Sequence, residues 1–207
     1  MTLTDIASPL KIGVVIGSTR QQRFAEYPAH WIANLLGQQP EVHVTILDLR
    51  DYNLPNYDET VSPAMLGEQR YEDPAVARWT QAVEAQDGFI LVGPEYNHGY
   101  SAVLKNALDY VYQGWNRKPV AFIGYGNLGG ARAIEQLRQV AVELQMVPLA
   151  AAVHLPLAPL IAHFTGGDGS AALPESNDKA AAMIADLLWW SRALKAARET
   201  PALALAS

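Results

Sequence analysis

The chain of 207 residues contains no cysteine, and charged residues make up only 17% of it. The absence of cysteine excludes disulfide bridges, thiolate catalysis, iron–sulfur clusters and cysteine-based zinc sites. No apolar run approaches the roughly 20 residues that cross a bilayer, so we expect no membrane partner. The formal net charge of −6 has the wrong sign for a nucleic-acid partner or an anionic membrane surface.

The first nine residues lack the basic and apolar segments of a signal peptide, which predicts a cytoplasmic protein. Half of the residues are hydrophobic, and the length is within the range of one α/β domain with a sizeable core. We therefore expect residues 1–207 to form a single domain, with frayed tails at residues 1–9 and 199–207.

Short apolar runs rich in β-branched residues alternate with segments of helical periodicity. The predicted strands are residues 11–16, 42–47, 88–92, 120–124 and 147–153. The predicted helices are residues 24–36, 74–85, 102–110, 129–144 and 175–197. This alternation indicates a parallel sheet covered on both faces. Five strands in this length favour an α/β fold of the flavodoxin-like kind, a doubly wound five-stranded parallel sheet with helices on both faces.

Two long segments between these elements, residues 48–72 and 154–174, are predicted as loops. Loops of this length are uncommon in a compact domain and are usually functional or mobile. Two interpretations therefore stay open for each segment. It forms a wall of an active site or a subunit contact, or it is a disordered excursion.

The most specialised segment is residues 93–101, Gly-Pro-Glu-Tyr-Asn-His-Gly-Tyr-Ser, between a predicted strand and a predicted helix. Ligands of open α/β sheets bind at the carboxyl edge of the strands, so this loop predicts a site for a planar ligand with polar edges. The candidates are Pro94, Glu95, Tyr96, Asn97 and His98. Alternatives remain open: the tyrosines pack the loop, Asn97 caps a turn, and Glu95 is a subunit contact.

The first strand–helix turn, residues 17–23, has the composition of a phosphate site. Ser18 and Thr19 offer hydroxyl groups, and Arg20 and Arg23 offer planar charged donors. The following helix adds unpaired N–H groups at its N-terminus. The Gly-x-x-x-x-Gly-Lys pattern of triphosphate loops is absent, so a monophosphate fits better. The alternative is a capped helix with solvated arginines.

Residues 124–129 spell the Gly-x-Gly-x-x-Gly fingerprint of dinucleotide sites, but they lack its context. That fingerprint belongs to the first strand–helix unit and needs an acid at the end of the next strand. This segment follows the fourth predicted strand, and residues 150–152 are alanines. We interpret it as a glycine loop that lets the backbone around Tyr125 and Gly126 approach the flat ligand.

These three motifs together resemble the NADPH-dependent FMN reductase family, flavodoxin-like proteins that include quinone, azo-dye and chromate reductases. The resemblance covers about residues 10–150 and rests on residues 17–20, 93–97 with 104–109, and 126–130. It implies FMN as cofactor, with its phosphate in the first loop and its ring and ribityl chain along the Pro-Glu-Tyr-Asn loop. The implied cofactor-binding residues are Ser18, Thr19, Arg20, Arg23, Pro94, Glu95, Tyr96, Asn97, His98, Tyr125 and Gly126.

The resemblance also implies two half-reactions at one site. NADPH or NADH gives a hydride to flavin N5 and leaves, and a small-molecule acceptor (a quinone, an azo compound, a metal ion or a flavin) then takes the electrons. The flavin carries the chemistry, so no catalytic side chain is required. Backbone N–H groups of residues 96–100 would stabilise negative charge on the reduced ring.

Members of the family are usually homodimers or homotetramers. In this chain the apolar residues 155–160 and the pair Trp189 and Trp190 would then be contact surface. Two other functions stay open at this point. One is a flavodoxin-type electron carrier that binds FMN without reacting with nicotinamide. The other is a non-enzymatic small-molecule or redox-sensing module.

Overall fold

The structure is a computed structural model that describes residues 8–66 and 71–200. Its strands are β1 (Leu10–Ile16), β2 (Val42–Asp48), β3 (Gly88–Pro94), β4 (Pro119–Tyr125) and β5 (Val147–Leu155). They form one parallel sheet in the order β2-β1-β3-β4-β5. The prediction of a flavodoxin-like, doubly wound sheet is confirmed. The strand order reverses between β1 and β3, which is where such sheets open a crevice at their carboxyl edge.

Helices cover both faces of this sheet. They are α1 (Glu26–Gly37), α2 (Leu49–Tyr52), α3 (Pro74–Glu84), α4 (Ala102–Asp109), α5 (Ala131–Glu143), α6 (Leu157–Phe164) and α7 (Asn177–Glu199). Two buried apolar clusters result, because successive strand residues point to opposite faces. Val14 lies in the cluster under α1 and α7, and its neighbour Val15 lies in the cluster under α3, α4 and α5.

The start of α3 illustrates how the sequence sets a helix boundary. The side chain of Asp73 accepts hydrogen bonds from the N–H groups of Ala75 and Val76, at 2.7 and 3.2 Å. Pro74 occupies the first helical position, where its missing N–H costs nothing. The helix α1 begins two residues later than predicted, since Phe24 and Ala25 form a turn before Glu26.

The prediction of a loop over residues 154–174 is wrong for much of its length. The strand β5 continues to Leu155, α6 follows, and a 3-10 turn occupies Leu173–Ser176. The prolines of this segment do not prevent helix formation. Pro156 is the N-cap of α6, and Pro159 lies in its first turn, where a backbone N–H has no intrahelical acceptor.

The predicted loop at residues 48–72 also contains regular structure. The helix α2 follows β2 directly, capped by the Asp48 side chain, and a 3-10 turn spans Pro63–Met65. Residues 67–70 of this segment lie outside the described part of the chain.

Within the expected contact surface at residues 155–160, Leu155 and Pro159 are buried, whereas Pro156 and Ala158 are exposed. Trp189 is 61% exposed and stacks edge-on against Trp190 with ring centroids 5.0 Å apart.

Most of the predicted frayed tails, residues 1–7 and 201–207, lies outside the described residues. At the inner end of the first tail, the Lys195 ammonium donates to the carbonyl oxygens of Ser8 and Pro9, at 3.4 and 3.2 Å. In the second tail, Glu199 is the last residue of α7. Across the described ranges, no helix combines the length and apolar character that a membrane span requires.

Candidate functional site

A cleft of about 640 Å³ lies at the carboxyl edge of β1, β3 and β4. Nine of the eleven predicted site residues line it, although they come from three separate loops. They are Arg20, Arg23, Pro94, Glu95, Tyr96, Asn97, His98, Tyr125 and Gly126. The strand order brings these loops together, because β1 pairs with β3 and β3 pairs with β4.

The two remaining predicted residues, Ser18 and Thr19, lie beside the cleft. Ser18 is buried, and its hydroxyl lies 3.3 Å from the Tyr96 hydroxyl. This contact helps to position Tyr96 in the cleft. Thr19 is exposed and lines a second cleft of about 630 Å³ together with Arg50 and Lys105. The first loop therefore separates two clefts.

Arg20 is the cation of the first loop that remains available to a ligand. Its guanidinium lies over the rings of Tyr96 and Phe164, with Cζ 5.6 and 5.8 Å from the ring centroids. Within residues 8–66 and 71–200 the guanidinium forms no ion pair. An exposed guanidinium held between two aromatic faces keeps its N–H donors at the edges, where an anion can reach them.

Arg23 also lines the cleft, but protein groups occupy its donors. Its side chain is 2% exposed and forms a fork with both carboxylate oxygens of Asp48. It also donates to Glu26 at 2.9 Å and to the carbonyl oxygen of Ser18 at 2.6 Å. Asp48 and Glu26 raise the pKa of Arg23 against the opposing effect of burial, which is the largest single influence. The geometry makes Arg23 an internal support of the first loop.

The loop after β3 is a tight hairpin. Tyr96 and Gly99 exchange both backbone hydrogen bonds, at 2.8 and 3.0 Å. The two residues between them, Asn97 and His98, have φ of 48° and 78°. Positive φ at both central positions is the signature of a type I′ turn, which strongly favours Asn-Gly. Gly99 follows these two residues and has no positive φ, so the left-handed positions are Asn97 and His98.

The tip of this hairpin is held from α5. Gln136 donates from Nε2 to the carbonyl oxygen of His98 at 2.8 Å. A Cβ added to Gly99 would lie 3.0 Å from Oε1 of Gln136, so a side chain there would press on the group that holds the tip.

Glu95 was predicted as a cofactor contact, with a subunit contact as the alternative, and its carboxylate faces α5. It accepts the backbone N–H of Arg132 at 3.0 Å and the Arg132 Nε at 2.6 Å. These hydrogen bonds hold the pKa of Glu95 below its ordinary value, against the opposing effect of burial. Glu95 thereby caps α5, a helix whose N-cap is Gly130 and so offers no side-chain cap of its own.

The glycine loop after β4 folds back on its own strand. A Cβ on Gly130 would lie 2.6 Å from the Cα of Gly124, and a Cβ on Gly124 would lie 2.8 Å from the carbonyl oxygen of Gly129. Gly126 has φ of 142°, and a Cβ added to it would lie 3.2 Å from the Cβ of Glu95. These glycines pack the β4 loop against the β3 loop, which brings Tyr125 and Gly126 to the cleft.

Five further residues line the cleft, and the sequence interpretation missed them. They are Phe24, Asn127, Arg132, Leu160 and Phe164. Leu160 and Phe164 come from α6, which was predicted as a loop. Phe24 lies edge-on to Tyr125, with ring centroids 5.1 Å apart. Burial raises the pKa of Tyr125, so its hydroxyl stays protonated. A signal for α6 existed in the strongly apolar run of Leu157–Phe164.

The chemistry of the cleft fits FMN. Its volume falls within the range of about 300–1,000 Å³ that small-molecule sites occupy. Its lining combines the Arg20 guanidinium with aromatic, proline and glycine residues. Among the described residues, no group of three histidine or acidic side chains could hold a metal ion. The arrangement suits a flat ligand with an anionic end.

Known proteins place this chain among flavin reductases. It matches the family described as NADPH-dependent FMN reductase over residues 10–159. It is 40% identical over 139 residues to an NAD(P)H-dependent FMN reductase from a Nectria species, which covers 66% of this chain and 69% of that protein. It is 34% identical over 146 residues to a 2-hydroxy-1,4-benzoquinone reductase from a Burkholderia species, which covers 67% of this chain and 73% of that protein.

A solved structure supports the fold. The flavoenzyme NAD(P)H:(acceptor) oxidoreductase FerB from Paracoccus denitrificans superposes with a TM-score of 0.66 at 20% identity, over 88% of this chain and 97% of FerB. The family match spans most of the chain and contains all three loops of the cleft. The chain therefore belongs to the NADPH-dependent FMN reductase family, oxidoreductases that use FMN and take electrons from NAD(P)H.

Proposed function

We propose that this chain is a ping-pong oxidoreductase in which NAD(P)H and a small-molecule acceptor use the same cleft in turn. Bound FMN supplies the redox chemistry, accepting a hydride and passing the electrons on. The observation that carries the proposal is the meeting of the three loops at one cleft of about 640 Å³, whose rim includes the exposed residues Asn97 and His98. An exposed rim leaves room for each substrate in turn.

The proposed roles follow from the contacts of each residue. Arg20 would hold the phosphate of FMN, because its guanidinium is free of carboxylates among the described residues. The hairpin of Pro94, Tyr96, Asn97 and His98 would line the ring and ribityl chain, with N–H groups at its tip to stabilise negative charge. Tyr125 and Gly126 would form the facing wall.

Four predicted residues take roles other than a direct side-chain contact with FMN. Ser18 would hold Tyr96 through its hydroxyl. Arg23 and Glu95 would fix the first loop and the hairpin through Asp48 and Arg132. Thr19 would contribute its backbone N–H, since its exposed side chain lines the neighbouring cleft.

Quinones are the acceptor class we favour among quinone, azo, metal-ion and flavin acceptors. Support comes from the Burkholderia relative, whose name states a benzoquinone substrate. The aromatic lining from Phe24, Tyr96 and Phe164 would suit a flat ring.

Initial rates of the FMN-loaded protein should give parallel double-reciprocal lines when NADPH and a benzoquinone are varied. Intersecting lines would overturn the ping-pong order, and an azo dye turning over faster than the quinone would overturn the choice of acceptor.

We further propose a single FMN-binding domain that assembles as a homodimer or homotetramer in the cytoplasm. The exposed Trp189, stacked on Trp190, would lie in a subunit contact. Light scattering should give a dimer or tetramer mass that Trp189→Glu lowers. A monomeric wild-type protein would refute the assembly, and cell fractionation tests the location.

A further inference from the structure

Three consecutive carbonyl oxygens of the first loop accept hydrogen bonds from two guanidinium groups. Arg23 Nη1 donates to the carbonyl oxygen of Ser18 at 2.6 Å. Arg50 Nε donates to that of Thr19 at 3.3 Å, and Arg50 Nη2 donates to that of Arg20. Arg50 lies on α2, 30 residues along the chain from Arg20, so this contact is made only in the folded protein.

Fixing these carbonyl groups also fixes the direction of the N–H groups that follow them. In a trans peptide unit the C=O of one residue and the N–H of the next point in opposite directions. Arg50 and Thr19 line the second cleft, whereas Arg20 lines the first. The N–H groups of Arg20 and Gln21 therefore point away from Arg50. Within residues 8–66 and 71–200 neither N–H has an acceptor.

The charges around Arg50 indicate that it orients the first loop and does not attract an anion to the cleft by its own charge. Glu26 accepts from Arg50 Nη1 at 3.2 Å and from Arg23 Nε at 2.9 Å, and Asp48 pairs with Arg23. Two guanidinium groups and two carboxylates make this cluster neutral as a whole. Its net electrostatic effect at the cleft is therefore small, and Arg20, which has no ion pair among the described residues, supplies the positive charge.

We propose that Arg50 is a positioning residue, which turns the N–H groups of Arg20 and Gln21 towards the cleft so that they bind the phosphate of FMN. The proposal rests on the proposed function, since it takes FMN as the ligand of the first cleft. Two neighbouring N–H groups that already point towards an anion form a concave donor site. Such a site does not have to reorganise when the anion binds.

The test compares FMN with riboflavin, which has the same ring and no phosphate. The dissociation constants of both are measured by fluorescence for the wild type, Arg50→Ala and Arg50→Lys. Arg50→Ala should weaken FMN binding by about tenfold, the scale of one hydrogen bond to a charged group, and leave riboflavin binding unchanged. Arg50→Lys should not restore FMN affinity, because an ammonium cannot span both carbonyl groups in the fork of a guanidinium.

Arg192→Ala is the matched control. Arg192 is exposed on α7 and lines a cleft with Leu10, at the opposite edge of the sheet, so the same charge is lost far from the loop. Equal losses of FMN and riboflavin affinity in Arg50→Ala would reduce Arg50 to a general structural role and overturn the proposal. Full rescue of FMN affinity by Arg50→Lys would show that Arg50 acts through its charge, and this result would also overturn the proposal.

A second measurement keeps the inference separate from the proposed function. Inorganic phosphate is titrated into the flavin-free protein, and the amide signals of Arg20 and Gln21 are followed by nuclear magnetic resonance. Shifts in the wild type that Arg50→Ala abolishes support the positioning role, even if neither flavin binds and the proposed function fails. No shift at either amide in the wild type overturns it.

Discussion

The carboxylate of Glu95 joins the loop after β3 to the first turn of α5 through Arg132. Oε2 accepts the backbone N–H of Arg132 at 3.0 Å, and Oε1 accepts from its Nε at 2.6 Å and from its Nη2. The Glu95 side chain is 3% exposed, and that of Arg132 is 34% exposed. One acid therefore caps a helix and fixes the base of the hairpin that lines the cleft.

Replacing Glu95 by glutamine should destabilise the protein at neutral pH. Hydrogen bonds to a charged group contribute about 1.5–3 kcal/mol, and the one-third exposure of Arg132 puts the expected loss at the low end of that range. The hydrogen bonds from Arg132 lower the pKa of Glu95 in the folded state. Its stabilisation is therefore present above the ordinary glutamate value of about 4.3 and is lost as the pH falls below it.

Urea unfolding of the wild type and Glu95→Gln, at neutral and acid pH, measures this effect. The difference in unfolding free energy between the two proteins should shrink as the pH falls. Glu135→Gln on the exposed side of α5 is the matched control and should change little at either pH. A difference that stays constant with pH would show that the Glu95 charge does not stabilise the fold.

Replacing Arg20 by alanine should weaken FMN binding more than it slows turnover at saturating FMN. The loss of a charged donor to a phosphate corresponds to about 1.5–3 kcal/mol, or roughly ten- to a hundredfold in the dissociation constant. Fluorescence titration gives the affinity, and steady-state rates with excess FMN give the turnover. Unchanged FMN affinity in Arg20→Ala would remove Arg20 from the phosphate site.

The hairpin tip should depend on Gln136 for its stability. Gln136→Leu removes the donor to the His98 carbonyl oxygen and should lower the unfolding free energy by about 0.5–1.5 kcal/mol. Adding His98→Gly to that variant should recover much of the loss, because glycine adopts the positive φ of this position without strain. Denaturant unfolding of the two single variants and the double variant measures the loss and the recovery.

Gln139→Leu is the control for this series, since Gln139 is exposed on the same helix. It should change the unfolding free energy by no more than about 0.5 kcal/mol. If the double variant is no more stable than Gln136→Leu alone, the positive φ of His98 does not strain the hairpin tip and this account is refuted.

Much of the fold and the cleft could be predicted from local patterns. Apolar runs indicated all five strands, and this signal is continuous in β3 and β4, in which every residue is buried. The order of the motifs along the chain predicted one shared edge, since the carboxyl ends of parallel strands meet there.

The remaining features depend on contacts between distant residues. The donors of Arg23 are taken by Asp48, 25 residues away, and those of Arg132 by Glu95, 37 residues away. No local spacing predicts such pairs. The helix α6 was missed because its prolines suit a first turn as well as a loop. The left-handed conformation of Asn97 and His98 accompanies the hydrogen bonds between Tyr96 and Gly99.

The visible spectrum of the purified protein loaded with FMN, before and after anaerobic addition of NADPH, tests the central claim most directly. We expect FMN to remain bound after removal of the free flavin, and its yellow absorbance to bleach within seconds. Bound FMN that stays yellow with NADPH and with NADH would contradict the reductase mechanism and favour an electron carrier. A protein that retains no FMN would contradict both, and would assign the cleft to another ligand.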